Sequence, residues 1–191
     1  MSQSFKTAAW SVSRVPRLAP PLDRMSTSPH HAPCAADADP DVDALVQRAT
    51  QAHAALMRGD LTRYRELISC SDDFTLMAPF GGRPTHAADL SEDRWQAIGR
   101  FFQHGRESTL ELVQAYRAAD LVVLAVIERT HVAVGDIPAQ PWALRVTLVF
   151  RRQNGRWLLV HRHADPLVEG IRVEESAALA RRAPAVQTVT T

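Results

Sequence analysis

The chain has 191 residues, 46% of them hydrophobic and 23% charged, with a formal net charge of +1. That length suits one domain with a substantial core plus tails, and the near-neutral balance provides no field for nucleic acid or an anionic membrane. Two cysteines, Cys34 and Cys70, and no apolar run of membrane-spanning length point to a cytoplasmic protein without a structural disulfide.

Residues 1–38 scatter Pro, Ser, Arg and Ala without a sustained period, which predicts a disordered N-terminal extension. The first 24 residues are basic but lack the apolar centre of a secretory signal. An organellar transit peptide, a flexible extension or a start at Met25 all fit them. Order is expected from Asp39-Pro40-Asp41, an N-cap followed by proline at the first helical position and an acid in the first turn. Val42, Leu45, Val46, Ala49, His53 and Leu56 then recur at helical spacing. Gly59 ends this helix, and Asp60 caps a second with Leu61, Tyr64, Leu67 and Ile68 inward. Ser69 to Asp73 reads as a break, and Phe74–Ala78 as a short strand stopped by Pro79. A loop through Pro84 and His86 leads to a third helix, capped by Ser91, stapled by Leu90 on Trp95 and closed by Gly105.

From Thr109 the period changes to that of strands. Thr109–Tyr116, Leu121–His131, Trp142–Arg152 and Arg156–Ala164 are expected to form an antiparallel meander. Its last turn is Asn154-Gly155, a strong signal for a type I′ hairpin. The run Leu121–Ile127 is apolar at consecutive positions. A strand of this kind needs cover on both faces, with helices on one and a second subunit on the other. Residues 171–191 form a tail with at most a short helix, Val173–Arg182.

On strict alternation, Trp157, Leu159, His161 and His163 share one face, beside Asp165. Two imidazoles so placed suit general acid–base work or two metal bonds. A metal site needs a third ligand, for which only Asp165 or a distant His131 offers itself, so no metal is expected. Arg145 and Thr147 share the opposite face from Leu144, Val146, Leu148 and Phe150. Arg145 is a candidate for a carboxylate ligand, set against a structural pairing with Glu128 or Glu111. Tyr64, Phe80, Trp95 and Trp142 are candidates for the wall of a ligand cavity, set against a role as plain core. His53 lies on the inner face of the first helix. No nucleophile triad, phosphate-cradling loop or paired-cysteine motif is present.

Met57–Gly82 (MRGDLTRYRELISCSDDFTLMAPFGG) and Arg145–Pro166 (RVTLVFRRQNGRWLLVHRHADP), in this order of elements, resemble the nuclear-transport-factor-2-like superfamily and, within it, the SnoaL-like group. The likeness runs from Asp41 to Val168. It implies an α+β fold, a cone-shaped curved antiparallel β-sheet wrapped around three N-terminal helices, over a domain spanning 39–170. It also implies a homodimer that binds a small, largely apolar organic molecule in a conical pocket, with no cofactor. Steroid-isomerase-type members carry a catalytic aspartate where this chain has Ala78, before Pro79-Phe80-Gly81. Isomerase, dehydratase or cyclase chemistry would therefore fall to His163, His161 or His53, with Tyr64, Phe80, Trp95, Trp142 and Arg145 around the ligand. The closing hairpin also resembles the association domain of calcium/calmodulin-dependent kinase II. That likeness implies the alternative of a non-catalytic oligomerisation or sensing module.

Overall fold

The computed structural model describes residues 39–182. The expectations for 1–38, and for the tail beyond residue 182, lie outside the described residues. Helix α1 (Pro40–Met57) begins where its cap predicts: the Asp39 side chain accepts from the backbone N–H groups of Asp41 and Val42. The same carboxylate receives Arg117, which fixes the start of α1 to the sheet. Helix α2 (Leu61–Leu67) follows, with the Asp60 side chain accepting from the N–H of Arg63. Next come β1 (Cys70–Met77), the two-residue β2 (Thr85–His86), and α3 (Glu92–Phe101), capped by Ser91. Four long strands complete the sheet: β3 (Phe102–Ala118), β4 (Leu121–Val134), β5 (Ile137–Gln153) and β6 (Arg156–Pro166). A last helix, α4 (Val173–Ala180), lies within the tail.

The strands form one sheet in the order β2-β1-β6-β5-β4-β3. The meander from β3 to β6 is antiparallel throughout, while β1 lies parallel to β6. Asn154 (φ 50°) and Gly155 (φ 74°) both take the left-handed backbone of the expected hairpin turn. The link between β4 and β5 is a tight turn at Gly135-Asp136 rather than the expected loop over 132–140, so both strands are longer than alternation suggested.

Two expectations at the start of the sheet are corrected. The second helix does end before Ser69, but the strand expected from Phe74 starts earlier: β1 already begins at Cys70 and carries an irregularity in its pairing with β6 between Cys70 and Thr75. Gly105 does not close a helix, because α3 passes directly into β3 at Phe102. The glycine is needed for close approach instead. A Cβ at Gly105 would lie 2.5 Å from the backbone of Met57, so a side chain there would push the end of α1 off the strand. Register shifts at 103–106, 106–109 and 112–114 break the β3–β4 ladder. Such bulges bend a strand and increase its twist, which lets the sheet curl over α1.

The core sits between α1 and the inner face of the sheet. Leu45, Ala49, Ala52 and Ala55 of α1 are buried against Val122, Leu124 and Val126 of β4, and against Leu144, Val146, Leu148 and Phe150 of β5. The alanine stripe lets the helix approach the sheet closely. On the other face, Val123, Ala125 and Ile127 remain half-buried, with Thr147 and Val149 paired beside them.

Candidate functional site

The sheet changes phase at one point on β6. Phe150 pairs with Leu159 but Val149 pairs with His161, so Val160 is an extra residue, a β-bulge. Before it, Trp157 and Leu159 face the core. After it, Arg162 and Ala164 do, opposite Leu148 and Val146. This overturns the expected common face of Trp157, Leu159, His161 and His163. The period of two holds only while the ladder is regular, and one extra residue sends both histidines and Asp165 to the outer face.

Arg162 thus enters the space between α1, α2 and the sheet, where it meets Glu128 of β4. Its Nη2 donates to Glu128 Oε2 at 2.8 Å and its Nη1 to Oε1 at 3.3 Å, a two-pronged pairing. His53 of α1 completes a trio. Its Nδ1 lies 3.3 Å from Glu128 Oε2 and its Nε2 3.4 Å from the carbonyl oxygen of Arg129. The side chains of His53 and Glu128 are 3% and 5% exposed, and that of Arg162 is 14% exposed. Charges this deep persist only when paired. Burial by itself pushes the Glu128 carboxyl upward, but the Arg162 guanidinium and the His53 ring outweigh it and hold the acid down to about 2.

The trio forms the polar floor of a partly open cavity of about 30 Å³. Its apolar wall is made by Leu56, Ile68, Leu148, Phe150 and Leu159. Tyr64 also lines it, and burial raises the phenol's pKa, so the hydroxyl keeps its proton. Among the described residues that hydroxyl makes no hydrogen bond. The space admits a water or two, or the polar end of an organic molecule. Chemically, it offers a protonated phenol, a guanidinium and a histidine–carboxylate pair.

Of the residues singled out from the sequence, His53 and Tyr64 therefore share this cavity. The others lie elsewhere. His161 Nδ1 is 2.7 Å from Thr75 Oγ1 on the outer face, with the His163 ring centroid 6.4 Å away. Partial burial lowers the His161 pKa, and the neighbouring His163 adds to the effect. Arg145, also outward, donates from Nε to Asp165 at 2.5 Å. Its structural partner is thus Asp165, directly opposite on β6, and neither Glu128, which faces inward, nor Glu111, which lies 3.5 Å from Arg129. Trp95 packs on Tyr64 with ring centroids 5.9 Å apart and carries Arg65 over its face. Phe80, 53% exposed, leans on Trp142 and Phe101 at 5.8 and 5.4 Å. Trp142 bridges the main core and a small cluster of Met57, Val132 and Val134. Among the described residues no group of three or more His, Cys, Asp or Glu is placed to hold a metal ion.

Glu128 and Arg162 were not foreseen as site residues. A signal existed for the first: Val122, Leu124, Val126 and Glu128 alternate, so the acid continues a buried row. Arg162 had none, because its facing depends on the bulge.

Comparison with known proteins places these features. No curated protein matches the chain. Among solved structures, an NTF2-like protein from Rhodospirillum rubrum, described as of unknown function in nutrient uptake, is 25% identical at a TM-score of 0.50, covering 67% of this chain and 99% of that one. A candidate dehydratase of the NTF2-like family from Streptomyces avermitilis is 19% identical at 0.54, covering 68% and 98%. The hub homology domain of calcium/calmodulin-dependent kinase II from Chlamydomonas reinhardtii is 15% identical at 0.52, covering 67% and 99%. At these identities the likeness speaks for the fold. The SnoaL-like domain family matches residues 45–169, a stretch that holds all six strands and the whole trio, and the chain belongs to that family.

Proposed function

We propose that the protein binds a small organic molecule at the cavity over Glu128, Arg162 and His53, with the polar end of the ligand on the trio and its apolar body in the mouth. The observation that carries this reading is the pairing of an open apolar wall with buried charged groups and an unspent Tyr64 hydroxyl. A purely structural ion network needs no opening and no spare phenol. If a proton is transferred, His53 and Tyr64 are the groups at hand, since His161 and His163 stand on the other face of the sheet. Isomerisation, dehydration or cyclisation by acid–base transfer is the chemistry that such groups support without the acid missing at Ala78.

The test compares the protein with an Ala52→Leu variant, whose larger side chain fills the cavity from α1. Native mass spectrometry of both, purified from the same cells, should find a small molecule retained by the original protein and absent from the filled variant. Equal retention by the two would place the ligand elsewhere and overturn the reading.

A second reading is supported by the outer face, where Val123, Ala125, Ile127 and Val149 form a half-buried apolar strip with no cover among the described residues. It assigns that strip to self-association as a homodimer. The fold shared with hub domains is in keeping with this.

A further inference from the structure

The polar capacity left unspent in the cavity is mostly that of donors. Arginine carries five N–H donors and no acceptor. Arg162 gives two of them to Glu128, and the remaining three find no acceptor among the described residues. The Tyr64 hydroxyl, held protonated by burial, adds another donor. Glu128, the carboxylate of the site, is largely spent: Oε1 receives Arg162, and Oε2 receives both Arg162 and His53. The histidine offers no acceptor either, because each of its ring nitrogens faces one, a carboxylate oxygen on one side and the Arg129 carbonyl on the other.

A buried site with unpaired guanidinium N–H donors beside a protonated phenol selects a ligand that brings acceptors, and charged acceptors above neutral ones because hydrogen bonds between a guanidinium and a carboxylate are the stronger kind. From this we infer that the cavity recognises a small monocarboxylate, its two oxygens received by Arg162 and Tyr64 and its apolar body against Leu56, Ile68 and Leu159. A cavity of about 30 Å³ has room for the carboxylate and not for the whole molecule, so the body of the ligand occupies the mouth. Recognition then rests on the acidic group, with the chain beyond it selected for being apolar. Amines are excluded by the guanidinium, and neutral alcohols offer it only the weaker, uncharged hydrogen bond. The inference rests on the proposed ligand cavity and deepens it by naming the chemical class.

Butyrate and benzoate are the probes, with butanamide, benzamide and butylamine as neutral and cationic controls. Each is titrated into the full chain while the Arg162 Nε–H resonance is followed by NMR. The carboxylates should shift that resonance saturably and bind at least tenfold more tightly than the matched amides, and butylamine should not bind. Tyr64→Phe, which keeps the ring and removes the donor, should weaken the carboxylates about five- to tenfold and leave the amides less affected. Equal or tighter binding of the amides would overturn the carboxylate inference while leaving the ligand cavity standing. Absence of any shift with all five probes would overturn both. Carboxylate binding that is unchanged in Tyr64→Phe and does not move Arg162 would place the acid at another surface and overturn the inference as well.

Discussion

The two faces of the sheet handle charge in opposite ways. On the inner face three ionisable side chains from three elements, His53 of α1, Glu128 of β4 and Arg162 of β6, are locked together behind apolar walls. On the outer face Arg145 and Asp165 form a pair whose side chains are 62% and 40% exposed. The His161 ring beside them rests against one threonine. The outer pair is in water and is worth little to the fold. The inner trio has been taken out of water, so each member depends on the others being present. Strand β6 contributes to both sets, which shows how strongly the facing of a residue, rather than its type, sets its energetic role.

Removing a member of the inner trio is the most severe way to break that contrast. Glu128→Ala leaves Arg162 and His53 facing each other without their counter-charge, and should cost about 3–5 kcal/mol in a denaturant titration. The double change Glu128→Leu with Arg162→Met removes both charges together and should recover most of that loss. A double variant as unstable as the single one would show that shape, and not charge pairing, dominates the site.

The outer face should respond in association rather than in stability. Ile127→Arg puts a charge into the half-buried strip and should convert a dimer to a monomer in light scattering, with the denaturation midpoint at low protein concentration nearly unchanged. An original protein that is already monomeric would remove the second reading.

The outer histidine gives the smallest effect, and pH separates it from the carboxylates. The His161 pKa is lowered in the folded protein from its ordinary 6.5, and that of Glu128 from 4.5 to about 2. In both cases the unfolded chain takes up the proton first as pH falls, so both shifts make the fold less stable on acidification. The His161 contribution is lost on descending below about 6.5, and that of Glu128 between about 4.5 and 2, where Asp41 and Asp73, lowered by Arg117 and Arg151, add theirs. A urea midpoint measured against pH should fall in these two steps, and His161→Gln should remove the upper step alone. A single step that is insensitive to His161→Gln would show that the outer histidine is not linked to folding.

Much of this architecture could be read from local chemistry. Asp39 and Pro40 announce α1, Asp60 announces α2, Ser91 announces α3, and Asn154-Gly155 can hardly be anything other than a hairpin turn. The legible parts are those in which a few adjacent residues decide the backbone. What could not be read depends on neighbours distant in the chain. Gly105 looks like a helix stop until α1 is laid across it, where Met57 leaves no room for a side chain. Ser69–Asp73 looks polar and turn-like until β6 offers it a partner. The parallel addition of β1 to β6 has no signature of its own. For the site, Tyr64 and His53 were found by their inward helical positions, and Glu128 lay within reach of the same logic. Arg162 did not, because the pairing partner and not the strand decides how many residues fill one rung.

That rung has a consequence for how the site is inherited. Val160 works as a frameshift within the sheet: two residues stand where the ladder counts one, and everything downstream is read in another phase. Dropping or doubling Val160 would keep Arg162 in step with Leu159 and leave the strand regular. The odd count is therefore what demands the bulge. Relatives with the same count here but a regular ladder can keep the motif His-Arg-His letter for letter and yet present histidine where this protein presents arginine. Aligned letters at the end of the domain are then a poor guide to shared chemistry, and the pairing of the strand with its neighbour is the better one.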